Sequence, residues 1–277
     1  PGQPSSYVGP DGLSKVAPEK MRAGGLDAVV MAAAVGPKPR TAAGYVEARA
    51  IAESELSAIV DLAADPANQV TLATTTDMLL EAHRAGQRAV ILGLQNALIL
   101  GRKVNAIDDF FAAGVRVFAL THMGHNAFAD SSRPLFDAAL GTREATAEHG
   151  GLSDLGRGAI QRINALGGIV DISQLSEQAA LQAMTVSTTP VIASHSNARA
   201  LTNVSRNLSD EELDAIAATG GVVHIAPFAG YLFDSSDPKL DAAIRSVRRN
   251  AGIDEDYLYP FEPVSYTHLR AHETKWH

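Results

Sequence analysis

Short apolar runs alternate along this chain with longer stretches that mix apolar and polar residues. Seven of the runs are rich in β-branched and other apolar residues and read as strands. Most are apolar on both faces, as strands buried between helices are. The runs cover residues 27–35, 70–74, 88–94, 115–120, 168–173, 190–194 and 221–226.

The stretches between these runs carry apolar residues every three to four positions, which is the spacing of an amphipathic helix. The clearest covers residues 41–65, and shorter ones cover 155–165 and 177–186. Another helix is predicted to begin at Ser209, because Ser209 with Glu212 three residues later forms a capping box. Alternating strands and helices predict an α/β fold built on a parallel sheet.

Two architectures satisfy this alternation, an open doubly wound sheet and a closed barrel. No Gly-rich phosphate loop follows the first predicted strand, which counts against a dinucleotide-binding sheet. His122 and His195 each follow a predicted strand, and barrels gather their reacting groups at the carboxyl ends of strands. We therefore predict a (β/α)8 TIM-type barrel. It is expected to be incomplete, because about six or seven of the eight strands can be recognised.

The predicted barrel domain occupies residues 19–262. Residues 1–18 are rich in Pro, Gly and Ser and are expected to be irregular. Residues 263–277 change in character, since they hold three of the nine histidines and the only Trp. We interpret 263–277 as a non-native tail and exclude its histidines from the reasoning about a site.

Composition narrows the classes of partner and cofactor. The formal net charge is -8 and no basic cluster interrupts it, so nucleic acid is not an expected partner. The chain has no Cys, so a metal site would have to use His, Asp, Glu or water. No apolar run approaches the ~20 residues of a membrane span. A soluble cytoplasmic or periplasmic protein is expected, with an incomplete N-terminus because no initiating Met is present.

Histidines provide the first candidate chemistry. His195 ends an apolar run and precedes a polar turn, although a lone strand histidine is more often a hydrogen-bonded core or rim residue. His122 and His125 form a His-x-x-His pair that could ligate metal. Alternatively, one imidazole of the pair polarises a substrate carbonyl and the other binds the loop. Asp130 could orient an imidazole or cap a turn.

Four further polar residues are candidates for the site. Asp171 stands within an apolar run and must face a partner or line the mouth, because burying it unpaired is costly. Gln95 and Gln174 end two strands, where metal ligands would be expected, but a neutral amide is a poor zinc donor. Arg206 could bind a substrate carboxylate bidentately, or could be a surface residue before the next helix.

Taken in order, several segments resemble the membrane (renal) dipeptidase family of metallopeptidases. They are MRAGGLDA at 21–28, LTH at 120–122 with Asn126 and Ala129-Asp130, GGLSDLG at 150–156, DIS at 171–173, PVIASHS at 190–196 and RNL at 206–208. The resemblance covers about residues 18–232, and the shared order makes it more specific than any single motif.

The resemblance implies a (β/α)8 barrel that holds two zinc ions at its mouth and hydrolyses dipeptides with a metal-bridging hydroxide. It implies that His195 is a ligand of one zinc ion. His122 would contact the substrate and stabilise the tetrahedral intermediate, and Arg206 would bind the substrate carboxylate. The family's usual assembly is a homodimer, which is therefore a possible state of this protein.

Four departures from the family pattern bear on the metal site. The His-x-Asp of the first strand is not found in residues 1–22, and the acidic residue of the last strand would fall after residue 260. Gln95 occupies the position of the bridging glutamate, and Gln174 occupies that of a histidine ligand of the second zinc ion. We therefore expect a metal-dependent hydrolase of dipeptides or similar small amides whose metal site is impaired.

Two alternatives stay open on the sequence alone. One is a non-catalytic barrel that keeps the mouth and Arg206 and binds a small carboxylate ligand. The other is a mononuclear amidohydrolase that holds one metal through His195, His122 and His125.

Overall fold

The computed structural model describes residues 13–14, 16–137 and 142–250. All seven predicted strands form within these residues, and two short strands that the sequence analysis missed add an antiparallel pair. In chain order the strands are β1 Ala28–Ala34, β2 Val70–Leu72, β3 Arg88–Gln95, β4 Val115–Ala119, β5 Phe136–Asp137, β6 Thr142–Arg143, β7 Ile169–Asp171, β8 Ile192–Ala193 and β9 Val222–Val223.

The predicted helices are confirmed to within a residue or two at their ends. The α-helices are α1 Pro18–Ala23, α2 Ala42–Ala64, α3 Thr76–Arg84, α4 Ala106–Ala112, α5 Asp154–Leu166, α6 Glu177–Val186, α7 Asp210–Thr219 and α8 Pro238–Asn250. Short 3-10 turns cover Pro66–Asn68, Ala97–Leu100 and Ala229–Tyr231. The capping box that starts α7 is present, with Ser209 and Glu212 each accepting from the other's backbone N–H.

The sheet confirms the prediction of an incomplete barrel. Strands β1, β3, β4, β7, β8 and β9 are hydrogen-bonded neighbours in that order, all parallel, and form a curled half-barrel. β2 pairs with the first residues of β3, beside this path. The register places Gln95 opposite Ala119, Ala119 opposite Asp171, and Asp171 opposite Ile192. The carboxyl ends of four successive strands therefore meet at one edge.

The core lies between the sheet and the helices, and its packing holds α5 against the segment that follows β4. Ile160 and Ile163 of α5 are fully buried, as is Phe128. Complete burial of such a side chain contributes about 1.5–3 kcal/mol. Gly156 allows the backbone of α5 to lie close to that of Phe128, because a Cβ at this position would be 2.1 Å from the Phe128 carbonyl oxygen. The backbone just after His122 is thereby tied to the core.

The described helices include none that is long and apolar enough to cross a membrane. The predicted tail, residues 263–277, lies outside the described residues, as does most of the segment 1–18 that was expected to be irregular. Of that segment the structure describes residues 13–14 and 16–18, and its last residue, Pro18, is the first residue of α1.

Candidate active site

The structure brings five predicted site residues together at the carboxyl edge of the sheet. Gln95 is the last residue of β3, and Gln174 and His195 follow the ends of β7 and β8. His122 follows β4, and Arg206 comes from the segment between β8 and α7. Direct contacts or electrostatic effects connect all five. Parallel strands explain this convergence, because their carboxyl ends face the same way.

Gln95, Gln174 and His195 form a hydrogen-bonded triangle. The Gln95 side-chain amide donates to Gln174 Oε1. Gln95 Nε2 also lies 3.3 Å from His195 Nε2, and His195 Nε2 lies 3.4 Å from Gln174 Oε1. The two glutamines at the family's ligand positions therefore satisfy each other beside the imidazole that the resemblance assigns to zinc.

Gln174 and Asn96, the residue after Gln95, have backbone conformations that are unusual for residues other than glycine. Gln174 has φ 71°, and Asn96, directly after Gln95, has φ 91°. Such conformations cost energy and persist where the surroundings hold them. Asn96 is held by its side chain, which donates to the Val35 carbonyl oxygen at 2.9 Å and accepts from Leu98 N at 3.1 Å.

Asp171 faces a partner, which decides between the two alternatives for this buried carboxylate. Its Oδ1 accepts from the backbone N–H groups of Ser173 at 2.9 Å and Ser194 at 3.1 Å. Its Oδ2 accepts from the Ser194 hydroxyl. The Ser194 hydroxyl oxygen lies in turn 2.7 Å from His195 Nδ1. A chain of contacts thus runs from the carboxylate to the imidazole.

Arg206 is a buried residue of the site, which excludes the surface alternative. Its side chain is 2% exposed, and its Nη2 donates to the His195 carbonyl oxygen at 2.8 Å. Its guanidinium carbon lies 5.1 Å from the centre of the Tyr231 ring, within the range of a cation–π contact. Its Nε has no hydrogen-bond partner within the described residues.

Both site histidines are neutral at neutral pH. Burial lowers the pKa of His122 to about 3, and the positive charges of Arg133, His195 and Arg206 add to this effect. Burial also lowers the pKa of His195 to about 4, with Arg206 assisting, Asp171 opposing and Arg133 adding a smaller effect. Neutral imidazoles can donate or accept a hydrogen bond, and they can bind a metal. His122 Nδ1 is buried with no hydrogen-bond partner among the described residues.

His125 does not join the site, although the sequence left open a metal-binding pair with His122. Its Nδ1 accepts from Ser131 N at 3.0 Å, and its Nε2 lies 2.8 Å from the Ala145 carbonyl oxygen. Both ring nitrogens are thus engaged by backbone groups. Asp130 caps a loop, since its carboxylate accepts from three backbone N–H groups in 148–151 at 2.8–3.1 Å.

Sequence reasoning missed two residues that act on the site. Arg133 affects the pKa of both histidines, and its segment is tied to the His122 loop because Ser131 Oγ donates to the His122 carbonyl oxygen at 2.6 Å. Tyr231 lies beside Arg206 from a segment 25 residues further on. Neither residue belongs to a strand end or a recognisable motif, so the sequence contained no signal for them beyond the nearness of Arg133 to Asp130.

Comparison with known proteins shows similarity to dipeptidases. The model of the membrane dipeptidase family, peptidase family M19, matches residues 10–255. Dipeptidase tcpJ of Claviceps purpurea is 34% identical over 171 residues, which cover 62% of this chain and 37% of that protein. Dipeptidase verJ of Clonostachys rogersoniana is 30% identical over 174 residues, which cover 63% of this chain and 42% of that protein. The matched part is less than half the length of either relative.

Solved structures show the same similarity. The probable dipeptidase PvdM from Pseudomonas aeruginosa superposes with a TM-score of 0.77 at 34% identity, over 91% of this chain and 62% of that one. A metallopeptidase from Rhodobacter sphaeroides superposes with a TM-score of 0.64 at 20% identity, over 92% of this chain and 83% of that one, which shows the shared fold. The family model spans most of the sequence, and the chain belongs to the membrane dipeptidase family of metallopeptidases.

Proposed function

We propose that this chain forms the substrate-binding mouth of a metal-dependent hydrolase for dipeptides or similar small amides, with an impaired metal site. The relatives named as dipeptidases support the substrate class. The Rhodobacter sphaeroides structure supports it as well, because that metallopeptidase holds a phosphinate mimic of the dipeptide L-Ala-D-Ala. The relatives are longer than the matched region, so the activity of the whole protein is part of the proposal.

The charges of the mouth suit a ligand that carries a carboxylate. Arg206 is buried, and its Nε has no hydrogen-bond partner within the described residues. The neutral His122 stands close to it and also has an unsatisfied Nδ1. A substrate carboxylate at Arg206 would make a charge-assisted hydrogen bond to a buried guanidinium. His122 would then be available to contact the group next to the scissile bond.

The hydrogen bond between Gln95 and Gln174 is the observation that carries the claim of an impaired metal site. Whichever way the two amides are turned, a bond between them needs one N–H2 donor and uses one carbonyl acceptor. At most one amide oxygen then stays available beside His195. In the described part of the chain, no three His, Asp or Glu side chains are grouped to hold a metal.

These donors do not fit a pair of zinc ions. A dinuclear centre needs negative charge between its two cations, and here one imidazole and two neutral amides stand in its place. These residues therefore lack the charge that a pair of zinc ions needs. Removal of a bridging carboxylate is instead the proposed cause of weak metal binding.

Metal analysis tests the impaired site. After incubation with zinc and dialysis, the protein should retain fewer than about one zinc ion per chain, because amides are weak ligands. The double variant Gln95→Glu/Gln174→His should retain more, since it restores a carboxylate and an imidazole. Gln161→Glu, which adds the same charge on the exposed face of α5, is the control and should behave as the wild type. Two tightly held zinc ions in the wild type would contradict the proposal.

Calorimetric titration with L-Ala-D-Ala tests the substrate-binding mouth. Arg206→Met should weaken binding about a hundredfold, because loss of a buried charge partner costs about 2–5 kcal/mol. Arg84→Met, on the exposed end of α3, should leave binding unchanged. Equal affinities for the wild type and Arg206→Met would exclude Arg206 as the carboxylate partner.

The hydrogen bond between the Gln95 and Gln174 amides also favours a second candidate function. This is a barrel that binds a small carboxylate ligand without hydrolysing it. Turnover of the same dipeptide separates the two. Zinc-dependent hydrolysis by the wild type supports the hydrolase, whereas binding without hydrolysis supports the second candidate. The mononuclear alternative loses a ligand, since both His125 ring nitrogens are engaged by the backbone.

A further inference from the structure

We infer that Ser194 is a positioning residue that holds His195 as the tautomer with its proton on Nδ1. The inference concerns the state of one imidazole in the folded chain and does not depend on the proposed hydrolysis. It rests on counting the donors and acceptors in the contacts between Asp171, Ser194 and His195.

Asp171 is buried, with 3% of its surface exposed. A carboxylate has no proton to give, so each of its contacts must be met by a donor. The backbone N–H groups of Ser173 and Ser194 meet Oδ1, and the Ser194 hydroxyl meets Oδ2. The single proton of the Ser194 hydroxyl is therefore directed at Asp171.

The direction of the next contact follows from this. Ser194 Oγ lies 2.7 Å from His195 Nδ1, and the oxygen has only lone pairs left to offer. A hydrogen bond of this length needs a proton between the two atoms, so the proton must come from Nδ1–H. A neutral imidazole carries one N–H group, so Nε2 is left with its lone pair.

Two amide atoms face Nε2 on the opposite side of the ring. Gln174 Oε1 lies 3.4 Å away, but it already accepts the shorter hydrogen bond from Gln95, so the donor that Nε2 meets is the Gln95 amide. Gln95 Nε2 lies 3.3 Å from His195 Nε2 and can donate one proton there and the other to Gln174 Oε1. The alternative tautomer would set an Nε2–H group against the Gln95 N–H2. It would also leave lone pairs facing each other between Nδ1 and Ser194 Oγ.

The consequence is that His195 presents an acceptor nitrogen to the mouth. Two further contacts hold the residue, since its backbone N–H donates to Ser173 Oγ at 3.1 Å and its carbonyl oxygen accepts from Arg206. The ring position and its protonation are thus set by different neighbours. Ser194 controls whether Nε2 offers a lone pair or an N–H group, to Gln95 in this structure and to any ligand group that replaces it.

Nitrogen NMR on the full chain with labelled histidine tests this at neutral pH. The His195 signals are assigned by their loss in His195→Gln. The wild type should show a protonated Nδ1 and an unprotonated Nε2. In Ser194→Ala the two nitrogen shifts should move towards each other, because both tautomers become populated. Ser194→Thr, which keeps the hydroxyl, should restore the wild-type pattern.

Ser196→Ala is the matched control on the other side of His195. The Ser196 hydroxyl is buried and has no hydrogen-bond partner within the described residues, so its loss removes the same group without touching the ring. Wild-type shifts in Ser196→Ala with altered shifts in Ser194→Ala support the inference. Unchanged shifts in a folded Ser194→Ala overturn it. An Nε2–H form in the wild type overturns it too, even where Ser194→Ala does not fold.

Discussion

The Asp130 carboxylate accepts hydrogen bonds from the loop between β6 and α5. Replacement of Asp130 by asparagine should therefore strongly destabilise the protein. Asp130 is fully buried. Its Oδ1 accepts from Glu148 N at 2.8 Å and His149 N at 3.1 Å, and its Oδ2 accepts from His149 N at 3.1 Å and Gly151 N at 2.8 Å. These bonds place the loop beside the segment that carries His122 and Arg133.

The expected cost of Asp130→Asn follows from this pattern. The amide oxygen can still accept from Glu148 N and His149 N, but the N–H2 group must then face Gly151 N. One hydrogen bond to a charged group is lost, which is worth about 1.5–3 kcal/mol. A buried donor is also left facing another donor, at a cost of about 1–3 kcal/mol. We expect the free energy of unfolding to fall by about 3–5 kcal/mol.

Urea unfolding, followed by circular dichroism, measures this difference. Asp61→Asn is the control, because Asp61 is exposed on α2 and the same change there should stay within about 0.5 kcal/mol. A loss below about 1 kcal/mol in Asp130→Asn would show that the loop is held by other contacts. The reasoning from the carboxylate's hydrogen bonds would then be wrong.

The same variant should respond to pH in a defined direction. Burial acts to raise the pKa of Asp130, but hydrogen bonds from Gly151, Glu148 and His149 outweigh it and the pKa is lowered. Stability from a lowered carboxyl pKa is present above the unfolded value of about 3.9 and is lost as the pH falls through the folded value. The difference between wild type and Asp130→Asn should therefore shrink in acid. A difference that grows in acid would contradict this.

Two further predictions concern packing and capping. Gly156→Ala should lower the free energy of unfolding by about 2 kcal/mol, because its Cβ would meet the Phe128 carbonyl oxygen. Gly158→Ala, whose Cβ would meet its nearest atom at 3.6 Å, should raise it by about 0.5–1 kcal/mol; equal effects in thermal unfolding would contradict the packing of α5. Ser209→Ala removes the cap that accepts from Glu212 N and should cost about 1 kcal/mol in urea unfolding, so an unchanged midpoint would show that the cap contributes nothing.

Much of the fold could be predicted because its signals are local. Strands buried on both faces are continuous apolar runs, and β3 and β4 were recognised from such runs. The start of α7 could be predicted from the Ser209 capping box, which involves only neighbouring residues. The pair β5 and β6 was missed, because each strand is two residues long and has no periodicity of its own.

Contacts between distant parts of the chain account for what could not be predicted at the site. Tyr231 reaches Arg206 only through the folding of the segment after β9. His125 was open to a metal or a loop role, and the choice depends on the positions of Ser131 N and the Ala145 carbonyl oxygen. No pattern of residue types in the sequence specifies where such backbone groups will lie.

The sequence by itself determined where the seven strands of the parallel sheet lie along the chain, the family, and the chemical types at the strand ends, including the two amides where charged or imidazole ligands are expected. The tertiary structure alone decided that Gln95 and Gln174 bind each other, that Asp171 meets Ser194 and that Arg206 is buried. The physical reason is that hydrophobic periodicity is encoded between near neighbours. The direction of a hydrogen bond and the pKa of a buried group depend on atoms that only folding brings together.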